Sequence, residues 1–299
     1  MTRKLVADLI DNAGALLGEG PTWVCATQTL VWVDILAGVV HFADGSGRRI
    51  REYAVGQVVG AALPIDGGGL LLAVRDGFLT MGADGGIEPL LPFLHDGQQM
   101  RMNDAKCDPR GRAFAGSMHE GEIGLLGALY RLDDGPTATV VIDSVTVSNG
   151  LDWSPDATCM YYVDSPTRRV DTFRYDVEDG HLDKRRTLTT FNGADGVPDG
   201  LCTDETGAIW VGLHGGGAVA RITPNGNLDT IIRVPCSLVT SCAFGGSDGG
   251  TLFITSATVG LDDVQRAAEP HAGALFAVRP GVTGPPATPW VPVASRAVF

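Results

Sequence analysis

Apolar and polar residues alternate along this chain over short runs of about five to eight positions, and no run keeps the 3.6-residue spacing of a long amphipathic helix. The runs come in pairs separated by a turn rich in Asp, Pro and Gly. Six such pairs occur in order: GPTWVCATQTLVWVDI (20–35), GAALPIDGGGLLLAV (60–74), DAKCDPRGRAFAGSM (104–118), GLDWSPDATCMYYVD (150–164), GLCTDETGAIWVGL (200–213) and SCAFGGSDGGTLFITS (241–256). Each is followed by further strand-like stretches ending in a Gly- or Asp-containing turn, such as VVHFADGSG (39–47), GALYRLDDG (127–135) and RVDTFRYDVEDG (169–180).

Four short strands recurring at a period of about 45 residues predict the blades of a β-propeller. Six copies predict an all-β, six-bladed β-propeller with four-stranded antiparallel blades around a central channel, a single domain over residues 1–299. The stretch RKLVADLI (3–10) is expected to complete the last blade, because PWVPVASRAVF (289–299) offers only one short candidate strand.

Alignment of the six copies on the residue just before the first strand gives the column Glu19, Val59, Asn103, Asn149, Asp199, Thr240. Two places on stand Pro21, Ala61, Ala105, Leu151, Leu201 and Cys242, and two further on Trp23, Leu63, Cys107, Trp153, Thr203 and Phe244. These later columns are mostly apolar, as one buried face of a strand should be. The first column is polar in five copies of six. First strands line the channel of a propeller, so Glu19, Asn103, Asn149 and Asp199 are expected to converge at one mouth.

Asn149-Gly150 and Asp199-Gly200, taken singly, look like turn formers, since Asn, Asp and Gly tolerate positive φ. The turns of those repeats are already supplied by Asp108-Pro109, Ser154-Pro155-Asp156 and Asp204-Glu205-Thr206-Gly207. Glu19 is a poor turn former. A polar column inside the channel therefore reads as a site, whereas Asp204 reads as a replaceable turn residue. His119 and His214 lack a second histidine at metal-ligand spacing and read as ordinary strand or loop residues. No serine stands in a G-x-S-x-G elbow, and DGGGL (66–70) leads into a strand, so it is a turn rather than a phosphate loop.

Composition sharpens the picture. The 41 glycines, 17 prolines and only 19% charged residues suit many strands joined by tight turns. A formal charge of −13 argues against nucleic acid and anionic membrane partners. No stretch is apolar enough to span a bilayer and the N-terminal residues lack a secretory pattern, so a cytoplasmic location is expected. Cys25, Cys107, Cys159, Cys202, Cys236 and Cys242 form no CxxC pair and are expected to be small buried hydrophobes.

LGEGPTW with LVWVDI, RMNDAKCDPRGRAFAGSM, SNGLDWSPD with MYYVDS, PDGLCTDETGAIWV, and TSCAFGG with LFITSA together resemble the senescence marker protein-30 (regucalcin) and gluconolactonase family. The resemblance covers about residues 15–280. It implies a metal-dependent sugar lactonase that opens a glucono-, xylono-, arabinono- or galactono-lactone to the aldonic acid. The implied metal ligands are Glu19, Asn149 and Asp199, with Asp199 also the general base, and the implied substrate contacts are Arg101 and Asn103. Animal members carry one more substrate-contacting glutamate where this chain has Gly121, flanked by Glu120 and Glu122, either of which could replace it.

An all-oxygen ligand set favours a hard cation. Ca²⁺ is the first expectation, with Mg²⁺, Mn²⁺, Zn²⁺ and Fe²⁺ as alternatives, and the only partner implied is a small-molecule sugar lactone. The rival readings are a non-catalytic calcium-binding regulator, a protein-interaction scaffold, and a hydrolase of phosphotriesters.

Overall fold

A computed structural model describes residues 2–93, 99–133 and 137–292, and it is nearly all β: six sheets, each led by a first strand that lines a common axis. The first strands are Gly18–Val24, Val59–Pro64, Met100–Cys107, Ser148–Trp153, Val197–Thr203 and Val239–Gly245. The protein is a six-bladed β-propeller. Its apolar columns pack between neighbouring blades: Ala61, Leu151, Leu201, Trp23, Leu63 and Trp153 are all buried. Ring contacts such as Phe114 against Trp153 at 5.2 Å fill the gap between the third and fourth blades.

Ring closure differs from expectation in detail. Arg3–Val6 adds a fifth, parallel strand to the edge of the fifth blade, and only Asp8–Asp11 completes the sixth, antiparallel to Leu275–Val278. Ala7, buried between the two, donates its amide to Arg233 O at 2.9 Å and carries the chain from one blade to the next. One extended segment thereby ties two blades together. Among the described residues the C-terminal stretch forms no blade strand, only an isolated parallel bridge from Trp290 to Ile65. Glu205 N donates to Thr283 O at 2.9 Å, Trp290 N to Pro64 O at 2.7 Å and Val291 N to Gly111 O at 2.9 Å, so residues 283–291 cross the far end of the channel. Pro285, Pro286 and Pro289 cannot donate to a ladder, which suits a strap better than a strand. Residues 293–299 of the candidate strand, like Asp134 and Gly135 at the end of GALYRLDDG, lie outside the described residues.

In all six blades the pairing of first with second strand slips at one place: between Glu19 and Thr22, Val59 and Ala61, Met102 and Ala105, Ser148 and Leu151, Pro198 and Leu201, Val239 and Cys242. A bulge re-aims side chains, and each slip falls at or beside a residue of the polar column. Gly150 and Gly200 therefore sit inside strands, not turns. A Cβ on Gly150 would lie 2.6 Å from Asp199 O, and one on Gly200 2.1 Å from Ser241 Oγ, so these glycines let the next first strand approach.

The turns fall at the opposite end, as the repeat implies, but Asp204 is no replaceable turn residue. Its carboxylate is fully buried and accepts from Thr206 N at 2.9 Å, Ala208 N at 3.1 Å, Trp210 Nε1 at 3.0 Å and Arg221 Nε at 2.8 Å. Asp108 is equally buried, holding Arg112 and the hydroxyl of Tyr175. Each of these carboxylates ties its turn to side chains of the same or the neighbouring blade. The cysteines also depart from expectation in part: four are buried, but Cys25 is exposed and Cys159 half-buried.

Candidate active site

The polar column converges as the repeat demands. Glu19, Asn103, Asn149 and Asp199 stand at the starts of the first, third, fourth and fifth blades' inner strands, each no more than 7% exposed. The two remaining members do other work. Val59 is core, and Thr240 donates to Gly18 O at 2.5 Å, linking the sixth blade to the first.

Two amides are held in defined orientations. Arg101 Nη1 donates to Asn103 Oδ1 at 2.7 Å, and Asn103 Nδ2 donates to Ser148 O at 2.9 Å, so both ends of that amide are engaged. Ser165 Oγ donates to Pro198 O at 2.8 Å and can therefore only accept from Asn149 Nδ2, 3.0 Å away. That leaves Asn149 Oδ1 buried with no partner. A buried amide oxygen without a donor is costly unless a ligand satisfies it.

Charge points the same way. Burial, then the neighbouring charge of Asp199, raises the Glu19 carboxyl well above its ordinary value; burial, then the charge of Asp104, does the same to Asp199. Arg101 is depressed by burial and pulled back up by Glu19, Glu120, Glu122 and Asp199. Deeper in the channel, burial pushes Asp104 up to about 6 against the pull of Lys106. Lys106 donates to Asp152 at 3.0 Å and to Leu201 O at 3.0 Å; burial lowers its pKa, but the combined pull of Asp152, Cys202 and Asp104 leaves it raised. The channel thus carries four carboxylates (Glu19, Asp104, Asp152, Asp199) against one guanidinium and one ammonium. With all four ionised the surplus is two negative charges, the charge that one divalent cation would offset. Among the described residues no three His, Cys, Asp or Glu side chains gather as a metal-holding group. The donor set here is two carboxylates and an amide oxygen, an all-oxygen set that fits a hard divalent ion.

Residues 17–258 match the family described as SMP-30/Gluconolactonase/LRE-like region. The chain belongs to the SMP-30/gluconolactonase/LRE-like family. Within it, the chain is 37% identical over 268 residues to a Bacillus subtilis protein that carries the name sugar lactone lactonase, qualified there as unproven, covering 89% of this chain and 91% of that one. It is 36% identical to regucalcin of Danio rerio over 90% of this chain and 93% of the relative. Among solved structures it superposes on a calcium-binding regucalcin from Agrobacterium tumefaciens with a TM-score of 0.91 at 29% identity, covering 97% of this chain and 99% of that one.

The two candidate glutamates, which both act on Arg101, differ in their other neighbours. Glu120 forms an ion pair with Arg75 of the second blade at 2.6 Å. Glu122, in a left-handed conformation with φ 53°, lies within electrostatic reach of Arg101, Asp199 and His214. His214, dismissed on spacing, ends the second strand of the fifth blade on the site's face, and burial lowers its pKa against the pull of Glu122. Asp104 was also invisible in the column: it occupies the place where four blades have glycine or, in the sixth, serine. His119 is engaged locally, its Nδ1 accepting from Gly121 N at 3.0 Å.

Proposed function

We propose that the protein is a metal-dependent sugar lactonase that hydrolyses an aldonolactone of the glucono-, xylono-, arabinono- or galactono- type. The observation that carries this reading is the unpartnered Asn149 Oδ1 in one ring with two carboxyls whose charge is uncompensated. Glu19, Asn149 and Asp199 would hold one divalent ion, with Ca²⁺ the first expectation. Bound there, the ion supplies Lewis acidity: it polarises the lactone carbonyl and offsets the charge of the tetrahedral oxyanion. A cation held there would favour the ionised forms of Glu19 and Asp199, and an ionised Asp199 can accept a proton.

Asp199 takes a proton from the attacking water as its oxygen bonds to the lactone carbonyl carbon. The acyl C–O bond of the ring then breaks, and the proton passes to the departing ring oxygen, which becomes a hydroxyl. The product acid ionises, releasing one proton per turnover at neutral pH. Asn103, fixed at both ends of its amide, and Arg101 orient the substrate through hydroxyls or the ring oxygen. Both Glu120 and Glu122 act on Arg101, but Glu120 is also paired with Arg75 whereas Glu122 also acts on Asp199 and His214, so Glu122 is taken as the replacement for the family glutamate. The phosphotriester and calcium-regulator readings share the ring and differ in turnover.

The test is acid release from a panel of freshly prepared aldonolactones, beside a phosphotriester, by wild type and Asp199→Asn. Turnover of a lactone that the substitution removes supports the reading. Calcium binding without turnover of any lactone, or faster turnover of the phosphotriester, rejects it.

A further inference from the structure

The face that carries the ring also carries a distinct set of exposed apolar side chains. Leu16, three residues before Glu19, is 44% exposed, and Val259 N donates to Leu16 O at 3.0 Å, bringing a second exposed apolar residue beside it. Leu36 stands in the adjoining loop, between the second and third strands of the first blade. A second group, Ile123, Leu125 and Leu126, lies in the corresponding loop of the third blade, where Leu125 is 62% exposed. That loop is tied to the site by Glu122, whose charge acts on Arg101 and Asp199.

Their positions follow from topology. Loops between second and third strands, and those entering a first strand, all lie at the end where the first strands begin. Among the described residues the other strongly exposed large apolar side chains are Val264, on a short helix in the sixth blade's loop at the same end, and five on outer strands; none is on a far-end turn. In a six-membered ring the third blade faces the sixth, so one cluster at the first and sixth blades stands across the mouth from the other. The polar ring lies between them. A protein-docking face would be a continuous apolar patch; two opposed clusters with a charged floor suit a small molecule that is polar at one end.

We propose that these clusters grip an apolar substituent of the lactone, so that the site takes alkyl- or aryl-substituted lactones in addition to polyhydroxylated ones. This rests on the lactonase reading above. The polar floor recognises the lactone group, and Glu122 with Arg101 serves hydroxyls on one side only. Leu16, Leu36 and Val259 on one side of the rim, and Ile123, Leu125 and Leu126 beside Glu122 on the other, offer surface that rewards methylene groups and not hydroxyls.

The experiment is kcat/KM of the metal-loaded enzyme for γ-butyrolactone, γ-valerolactone, γ-heptalactone and γ-nonalactone, with glucono-1,5-lactone alongside. Each of the first few methylenes buried against the rim should raise kcat/KM about two- to fourfold. Leu125→Ser with Leu126→Ser, and separately Leu16→Ser, should flatten that rise. Two independent sites guard against misfolding of one variant. Turnover of the gluconolactone with no dependence on chain length overturns the inference while leaving the lactonase reading intact. A flat series joined to concentration-dependent self-association that the same variants abolish would show that the leucines cover a protein surface, and also overturns it. Failure to turn over any lactone, sugar or alkyl, removes both.

Discussion

Asp199→Asn and Asp204→Asn change the same atoms five residues apart in one blade, yet the structure demands opposite outcomes. At Asp204 both carboxylate oxygens face donors: Oδ1 accepts from Thr206 N and Ala208 N, Oδ2 from Trp210 Nε1 and Arg221 Nε. Whichever way an asparagine is turned there, its NH₂ meets N–H groups. Removing one partner of a buried ion pair costs about 3–5 kcal/mol, but Arg221 keeps Asp229 and Thr206 Oγ1, so about 2–4 kcal/mol is the fitting scale. For a domain of this size that is a fall in Tm of about 3–6 °C. Turnover per folded molecule should hold. Asp199→Asn instead removes a desolvated charge from a ring already crowded with negative charge, so the metal-free protein should melt no lower than wild type. Its kcat should fall by about 10²–10⁴ for loss of the base, and further where metal binding weakens. Calorimetric melting and lactone turnover on both variants decide the matter. An unchanged melt for Asp204→Asn refutes the hub, and a destabilised but fully active Asp199→Asn refutes the site.

Three further outcomes follow from named contacts. Ser165→Ala releases Asn149 Nδ2 and with it the aim of Oδ1, so metal affinity by titration calorimetry should weaken about 10- to 100-fold, with kcat largely recovered at saturating metal. Glu19, Asp104 and Asp199 all have raised folded-state values, so the metal-free protein binds more protons than the unfolded chain. The contribution of these three carboxyls to its stability is greatest at acid pH and is lost as pH rises from about 4 through the value of about 6 at Asp104 and beyond. The rise in Tm on adding a divalent ion should therefore be larger at pH 8 than at pH 5; a gain independent of pH would contradict the charge surplus. Arg101→Ala should raise KM far more than it lowers kcat, and the reverse split would place Arg101 in transition-state stabilisation.

The propeller and its polar column were legible because a repeat exposes both a strand period and the positions that break it. What the repeat could not convey was the reason for the break. Asn149-Gly150 and Asp199-Gly200 resemble turns in isolation, and only the bulged ladder and the 2.1–2.6 Å clearances show glycine serving the approach of the next blade. Asp104 hid because it stands in a column that is glycine in four blades and serine in another, and His214 because its neighbours come from other repeats. Asp204 was misjudged for a related reason: a D-x-x-G turn looks solvent-exposed in sequence, but the blade folds Trp210 and Arg221 over it. The split of the N-terminal segment between two blades depends on parallel pairing with residues 228–233, which no local pattern announces.

The central claim is that one divalent ion held by Glu19, Asn149 and Asp199 turns this ring into a lactonase. The most direct measurement strips the protein with chelator, verifies by elemental analysis that it is metal-free, and titrates Ca²⁺, Mn²⁺, Mg²⁺ or Zn²⁺ back while lactone hydrolysis is followed by proton release. Activity should be absent at the start, rise with added ion and break at one equivalent per chain, and Glu19→Gln should weaken that rise. Full activity in the verified metal-free protein would contradict the claim.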